Sequence, residues 1–309
     1  MDRPRFWNEV FTLKGSVTPC IKWRMMVFFC IAAAIATAGT YTQYFPTTDI
    51  APYELVGAAL AVLLMLRTNS GYDRWYEGRK LWGGIVNQCR NLAQIGIVYG
   101  PKEQGWREDF ITWVSAFPHA CRHSLRGETE LEDMDEVIGH QERLKLSAAE
   151  HFPLYVSNRI ARLLQEALDS GQLDRFAFMQ AEHQRNLLID HIGACERILK
   201  TPLASALSVK IRRFLFLYLV ALPFGIFDKV GFATPFIVMM VAYPLLSLDQ
   251  ISVELQNPFS KHRLSHLPLG DICGTIQSNL HAMLDNEPGD VDEATSNLQT
   301  KPAKLAVMS

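Results

Sequence analysis

Four nearly uncharged runs of apolar residues constrain this chain more than any other feature. They extend over residues 25–39, 55–66, 214–227 and 230–248. Apolar helices of this kind are either buried in a soluble core or embedded in a membrane. Of the 309 residues, 49% are hydrophobic and 20% are charged, an average that fits both alternatives.

Basic residues lie at one end of each run, and this asymmetry favours the membrane interpretation. No Lys or Arg occurs in the segment 40–54 between the first two runs. Under the positive-inside rule, four helices cross a membrane, both chain termini are cytoplasmic, and an outer turn lies at Asp228 and Lys229. The basic residues that support this topology are Lys22, Arg24, Arg67, Arg74, Lys210, Arg212, Arg213, Lys261 and Arg263.

The sequence predicts an all-α protein with six segments. Helical periodicity continues past the second run to Leu92, and further helices are expected over 106–125, 153–170 and 173–199. The segments are a cytosolic N-terminal segment (1–22), transmembrane helices 1 and 2 (23–66), a cytosolic helical domain (67–213), transmembrane helices 3 and 4 (214–249), a cytosolic helical segment (250–285) and a disordered tail (286–309).

Composition and motifs exclude several functions. The net charge of −2 argues against nucleic acid as a partner, and the six cysteines form no CxxC pair. No nucleophile elbow, zinc-protease motif, P-loop or dinucleotide-binding turn is present, so we expect neither an enzyme nor a cofactor. His119 with His123, and His262 with His266, are spaced for one helix face but lack a third metal ligand, and we predict no metal site. The acidic residues between Glu128 and Glu136 are expected to form a solvated loop.

The second run carries a stripe at i, i+4 spacing. Its members are Glu54, Ala58, Val62 and Leu66. Such a stripe is either a helix-packing face or a pore wall, and a ring of identical helices around an axis satisfies both alternatives.

The basic segment after this stripe resembles a known family. Residues 67–83 read RTNSGYDRWYEGRKLWG and are similar to the signature of bacterial bestrophin homologues. The motifs Cys195-Glu-Arg-Ile, Thr201-Pro-Leu, Thr234-Pro-Phe, Ser247-Leu-Asp and Glu254-Leu-Gln-Asn-Pro-Phe follow in the order of that family. The resemblance covers about residues 5 to 285.

This resemblance implies a homopentameric ion channel of the bacterial inner membrane whose helices continue from the membrane into a cytosolic bundle. The hydrophobic neck of the family falls on Ala58, Val62 and Leu66, which we call the neck stripe. Its cytosolic aperture falls on Met179, a flexible residue that favours a softer gate. We read the remaining signature residues as structural supports of the neck. They are Arg67, Asn69, Tyr72, Arg74, Trp75, Glu77, Arg79, Trp82, Asp249, Asn257, Pro258 and Phe259.

The permeating species is expected to be a small monovalent ion such as sodium, potassium or chloride. Five copies of Glu54 at the outer mouth would attract cations, so we predict a cation preference. Two alternatives stay open: an anion-conducting bestrophin channel, and a membrane-bound scaffold or sensor that conducts no ions. The expected partners are further copies of the chain and the lipid bilayer.

Overall fold

A computed structural model describes residues 6–13, 15–42, 46, 48–202 and 205–285, and these residues form helices and no strands. The predicted tail and the first five residues lie outside the described residues. The helices are α1 (Phe6–Phe11), α2 (Thr18–Tyr41), α3 (Ala51–Tyr99), α4 (Gln104–Arg126), α5 (Asp135–Ile138), α6 (His140–Ser147), α7 (Phe152–Asp169), α8 (Arg175–Lys200), α9 (Ser205–Val230), α10 (Thr234–Leu255) and α11 (Leu269–Asp285).

The chain divides into two compact units. The first unit contains the described residues of 1–80 and 196–267, and the second contains those of 81–195 and 268–285. Helices α3 and α8 contribute to both units. The predicted limits of the membrane and cytosolic segments were drawn from the positions of charged residues, whereas the two units are defined by compact packing. The segment limits therefore stay a prediction.

Helices α2, α3, α9 and α10 build the core of the first unit. Buried apolar residues such as Ile21, Leu64, Leu215 and Leu246 pack together there. Three helical stretches are long and apolar enough to cross a membrane, namely 18–41, 51–99 and 206–255. The third stretch contains α9 and α10 and the turn between them.

That turn corrects the sequence-based expectation. The predicted turn residues Asp228 and Lys229 lie within α9, which continues to Val230, and the reversal occurs in a 3₁₀ turn over Gly231–Ala233. Gly231 has a φ of 50°, a conformation that favours glycine. Pro235 then starts α10 at its first turn, where a missing N–H costs nothing.

The second unit is a bundle in which α4 packs against α7 and α11. The predicted helices over 106–125, 153–170 and 173–199 are confirmed as α4, α7 and α8, with ends within two residues. Local capping sets these ends. Gly127 terminates α4 with a φ of 64°, and Asp174 Oδ1 accepts hydrogen bonds from the backbone N–H groups of Phe176 at 2.8 Å and Ala177 at 3.1 Å.

Candidate functional site: an exposed stripe and an ionic cluster in the first unit

The neck stripe is exposed on α3. Val62 is 58% and Leu66 is 56% exposed in the single chain, and Ala58 and Glu54 are also exposed. On the opposite side of the helix, about 200° around, Leu60 and Leu64 are buried in the core of the first unit. A large apolar side chain kept out of the core needs lipid or another protein surface to cover it.

The exposed apolar surface of α3 is wider than the neck stripe. Leu55, Val56 and Met65 are each at least half exposed as well. Sequence spacing selected one line of residues, but the helix presents a broad apolar face, as expected where both lipid and protein neighbours have to be accommodated. Further along the same face, the exposed residues become polar at Asn69 and Asp73.

A buried carboxylate joins four helices just beyond the neck stripe. Asp249 on α10 contacts Arg67 on α3, and both side chains are only 2% exposed. Arg212 Nε on α9 lies 3.2 Å from Asp249 Oδ2, and Arg24 Nη1 on α2 lies 3.8 Å from the same atom. We call these four residues the Asp249 cluster. The sequence suggested Asp249 as a partner for the signature cations, and the contact with Arg67 confirms this.

Sequence reasoning missed two members of this cluster. Arg24 and Arg212 were used as markers of membrane topology, and nothing in their local sequence indicates a shared carboxylate. They are separated from Asp249 by 225 and 37 residues in the chain, so only the packing of α2, α9 and α10 brings them together.

The signature arginine and tryptophan that follow the neck stripe bind backbone carbonyls. Arg74 donates to the carbonyl oxygens of Thr201 at 2.7 Å, of Gln256 at 3.3 Å, and of Ile198. Trp75 Nε1 donates to the carbonyl oxygen of Ser265 at 2.7 Å. Arg74 therefore fixes α3 to the ends of α8 and α10, and Trp75 fixes it to the segment that follows α10, which agrees with a structural role.

Glu77 has a different partner from those the helix spacing suggested. The sequence offered Arg74 or Lys80, but Arg197 Nη2 on α8 lies 3.1 Å from Glu77 Oε1. Arg74 donates its hydrogen bonds to carbonyl groups instead, and the Lys80 ammonium group lies over the ring of Tyr76. Arg79 similarly lies over the ring of Trp75, 5.8 Å from its centroid.

The Asn-Pro-Phe motif forms a turn after α10. Asn257 Oδ1 accepts a hydrogen bond from the backbone N–H of Phe259 at 3.1 Å, and the carbonyl of Pro258 accepts one from Leu267 at 2.7 Å. The Phe259 ring is fully buried, and a Cβ at Gly78 would lie 3.2 Å from it. Glycine at position 78 therefore lets α3 approach this turn closely.

The other signature residues divide by exposure. Trp82 is buried in the second unit, whereas Tyr72 is 52% exposed and stacks on Trp75 and Tyr76. Met179 lies on α8 in the second unit and is 61% exposed. Its exposure is compatible with an aperture, and its role there stays a prediction.

Close glycine contacts join the opposite ends of the apolar helices. A Cβ at Gly39 on α2 would lie 2.6 Å from the ring of Phe227 on α9, and one at Gly225 would lie 2.6 Å from the ring of Tyr53 on α3. The backbone N–H of Thr48 also donates to the carbonyl of Phe224 at 3.4 Å. The ends of the apolar segments that the charge pattern assigns to the outside are thus in contact with each other. The ends that it assigns to the inside are in contact at the Asp249 cluster.

Histidines and acids of the second unit form a separate group, which we call the His–Asp cluster: His119, Arg122, His123 and Asp133. His123 Nε2 lies 2.7 Å and His119 Nδ1 3.8 Å from the Asp133 carboxylate, which Arg122 also contacts. The acidic segment is therefore not simply a solvated loop, since Asp133 lies in a 3₁₀ turn and is paired. Among the residues that the structure describes, no group of three or more His, Cys, Asp or Glu side chains could hold a metal ion.

Burial and neighbouring charges shift the pKa values of His119, His123 and Asp133. Burial lowers the pKa of His119 and of His123, and Arg122 lowers both further, while Asp133 acts in the opposite direction. Burial acts to raise the pKa of Asp133, but the hydrogen bond from Arg122 and the charge of His123 outweigh it and hold that pKa below its usual range.

The long apolar helices, the exposed apolar face of α3 and the Asp249 cluster at one end of the apolar segments define a helical membrane protein. Comparison with known proteins then specifies the family: the family described as Bacterial/Fungal Bestrophin protein matches residues 1–282. The chain belongs to the bestrophin family, which consists of channel proteins rather than enzymes.

Two relatives and one solved structure illustrate the similarity. The voltage-dependent anion channel-forming proteins sll1024 of Synechocystis and alr2987 of Nostoc are 31% and 32% identical to this chain, each over 92% of this chain and 94% of the relative. The crystal structure of a bacterial bestrophin homologue from Klebsiella pneumoniae has a TM-score of 0.80 at 24% identity and covers 87% of this chain and 100% of its own. The resemblance inferred from the signature is thereby confirmed, and so is the helical fold.

Proposed function

We propose that this chain forms a homopentameric channel for small monovalent ions, with α3 of each copy nearest the symmetry axis. The observation that carries the proposal is the exposed neck stripe, which is apolar at Val62 and Leu66 and continues into polar residues on the same face. Five such helices around an axis would cover this face and leave an apolar constriction that conducts ions when it is wetted. Met179 would form a second constriction in the cytosolic part.

The proposed topology has four crossings of the inner membrane and cytoplasmic termini. In its support, the Asp249 cluster joins the basic ends of α2, α3 and α9 to the end of α10, and the glycine contacts join the opposite ends. Because basic residues mark the cytoplasmic side, the Asp249 cluster lies at the inner boundary in this proposal.

The ion preference has two candidates, each with its own support. Glu54 is exposed in the first turn of α3, where five copies would attract cations and repel anions. The names of the relatives in Synechocystis and Nostoc describe anion channels, which conflicts with a cation preference. We propose the cation preference on the basis of Glu54, and an anion channel is the second candidate.

Reconstitution of purified protein into planar lipid bilayers tests the channel and its preference together. We expect single-channel currents whose reversal potential in asymmetric NaCl indicates cations. Glu54→Gln should move the reversal potential toward that of chloride. Asp49→Asn removes the same charge from the exposed segment before α3 and serves as the matched control, with no expected shift.

The outcomes separate the alternatives. A chloride-selective current in the wild-type chain, unchanged by Glu54→Gln, would establish the anion channel instead. Absence of any current in bilayers of several lipid compositions would favour the scaffold or sensor. A particle image along the symmetry axis decides the subunit count, and a number other than five would overturn the pentamer.

A further inference from the structure

A cleft in the first unit has a charged end and an apolar end. It has a volume of about 370 Å³ and lies between α2, α9 and α10. Its charged end consists of Arg24, Arg212 and Asp249. One turn further along α2 and α9, its walls become apolar, at Val27 and Phe28 on α2 and at Leu215 and Phe216 on α9.

The charges at this end of the cleft are unbalanced. Three arginines of the Asp249 cluster pair with one carboxylate, so two positive charges are not neutralised by the ion pairs recorded among the described residues. The additional contact of Arg24 is to the neutral side chain of Gln250, at 3.4 Å. The nearby acid Glu254 is paired with Arg263 at 3.8 Å.

The excess charge is accessible from the cleft. The Arg24 side chain is 46% and the Arg212 side chain is 47% exposed, whereas Arg67 and Asp249 are almost fully buried. Arg24 and Arg212 therefore each have donor groups left for a ligand, while Asp249 holds both side chains in place from behind. A guanidinium group is well suited to bind phosphate oxygens through two parallel hydrogen bonds.

We propose that this cleft binds the phosphate headgroup of an anionic membrane phospholipid, with Arg24 and Arg212 on the phosphate and an acyl chain along the apolar wall. The apolar wall selects a lipid over a free phosphate ion, because it would otherwise remain exposed next to two charges. Trp23 borders the cleft and is 73% exposed, as is typical of aromatic side chains at the headgroup level. Basic pockets between membrane helices bind lipid headgroups by the same chemistry.

Native mass spectrometry of the full-length protein in detergent tests the proposal. The protein is titrated with an equimolar mixture of phosphatidylglycerol and phosphatidylcholine, and the retained lipid is identified by mass. Phosphatidylglycerol should be retained preferentially. Each arginine that faces the headgroup contributes about fivefold to this preference, so Arg24→Gln with Arg212→Gln should reduce it by about 25-fold.

Arg213→Gln is the matched control. Arg213 is the next residue on α9, is exposed, and does not line the cleft. Its loss should leave the lipid preference unchanged. Equal retention of the two lipids by the wild-type protein, or an equal loss of preference in Arg213→Gln, would overturn the site.

Two further measurements keep the result unambiguous. Should the double glutamine variant fail to fold, Arg24→Lys with Arg212→Lys keeps the charge but loses the paired donors, and the proposal requires a partial loss of preference. Free glycerol 3-phosphate should not displace the lipid, and displacement would show that the cleft binds phosphate alone.

The proposal rests on the membrane placement given above but not on conduction. Binding is measured without current, so a failure here is distinct from a failure of the channel.

Discussion

Replacing Asp249 by Asn should destabilise the protein more than any other single change in the Asp249 cluster. The carboxylate is 2% exposed and faces the equally buried Arg67, and it also pairs with Arg24 and Arg212. Asparagine has nearly the same shape, so the packing of α10 is retained. The substitution therefore removes charge and little else, and it leaves Arg67 buried without an acidic partner.

The magnitude follows from burial. Removing one partner from a buried ion pair typically costs about 3–5 kcal/mol, because the remaining charge stays desolvated. Arg24, in contrast, is nearly half exposed, and an exposed pair contributes at most about 1 kcal/mol. Arg24→Gln is thus the matched control within the same cluster. We expect the free energy of unfolding to fall by about 3–5 kcal/mol in Asp249→Asn and by at most about 1 kcal/mol in Arg24→Gln.

Urea titration of the detergent-solubilised protein, followed by tryptophan fluorescence, measures both values. A double-mutant cycle with Arg67→Gln isolates the pairwise contribution, and the double variant should be less destabilised than the sum of the single variants. A loss in Asp249→Asn no larger than that in Arg24→Gln, or strict additivity with Arg67→Gln, would refute the burial argument.

Three further predictions concern other parts of the chain. Leu66→Ala should raise the open probability in planar bilayers, because a smaller side chain widens the proposed neck. Met65→Ala is the control, since Met65 is similarly exposed but lies off the neck stripe, and it should leave the open probability unchanged. Equal open probabilities in the two variants would show that Leu66 does not form the constriction. Gly96→Ala should destabilise the folded protein by about 1–3 kcal/mol in thermal unfolding, because the added Cβ would clash with the buried ring of Phe110. Gly83→Ala in the same helix is the control: its Cβ would have no atom within 4 Å, so the substitution should be neutral or stabilising. Because the pKa of His119 is lowered in the folded protein, the unfolded chain binds the proton of this histidine at a higher pH. The free energy of unfolding should therefore fall as the pH drops below about 6.5, and His119→Gln should weaken this fall. An unchanged pH dependence in His119→Gln would contradict the lowered pKa.

The sequence was sufficient for those features that local chemistry determines. Apolar periodicity predicted α4, α7 and α8, and continuous periodicity predicted that α3 extends well past Leu66. The caps at Gly127 and Asp174, which set the end of α4 and the start of α8, are findings of the structure. The turn between α9 and α10 was misplaced because a charged pair at Asp228 is a stronger sequence signal than a single glycine at 231, although the glycine makes the turn.

Tertiary pairing could not be predicted in the same way. Glu77 has two cations at helical spacing, yet it pairs with Arg197, which is 120 residues further along the chain. The sequence shows where Arg24 and Arg212 lie along their helices. That both pair with Asp249 depends on how four helices pack together. The residues of the neck stripe are exposed in the single chain, and what covers them in the membrane depends on the assembly rather than on the sequence pattern.

The Asp249 cluster also accounts for the direction in which the neck stripe points. Contact with lipid does not by itself fix how an apolar helix is rotated about its axis, because lipid tails are as apolar as its side chains. Arg67 adds a restraint on the rotation of α3 to the packing of Leu60 and Leu64, since its buried charge needs Asp249. At about 100° of rotation per residue, Leu66, Val62 and Ala58 lie between about 100° and 180° around the helix from Arg67. Holding Arg67 against α10 thus keeps the neck stripe facing away from the core, which is the orientation that the pore proposed above requires.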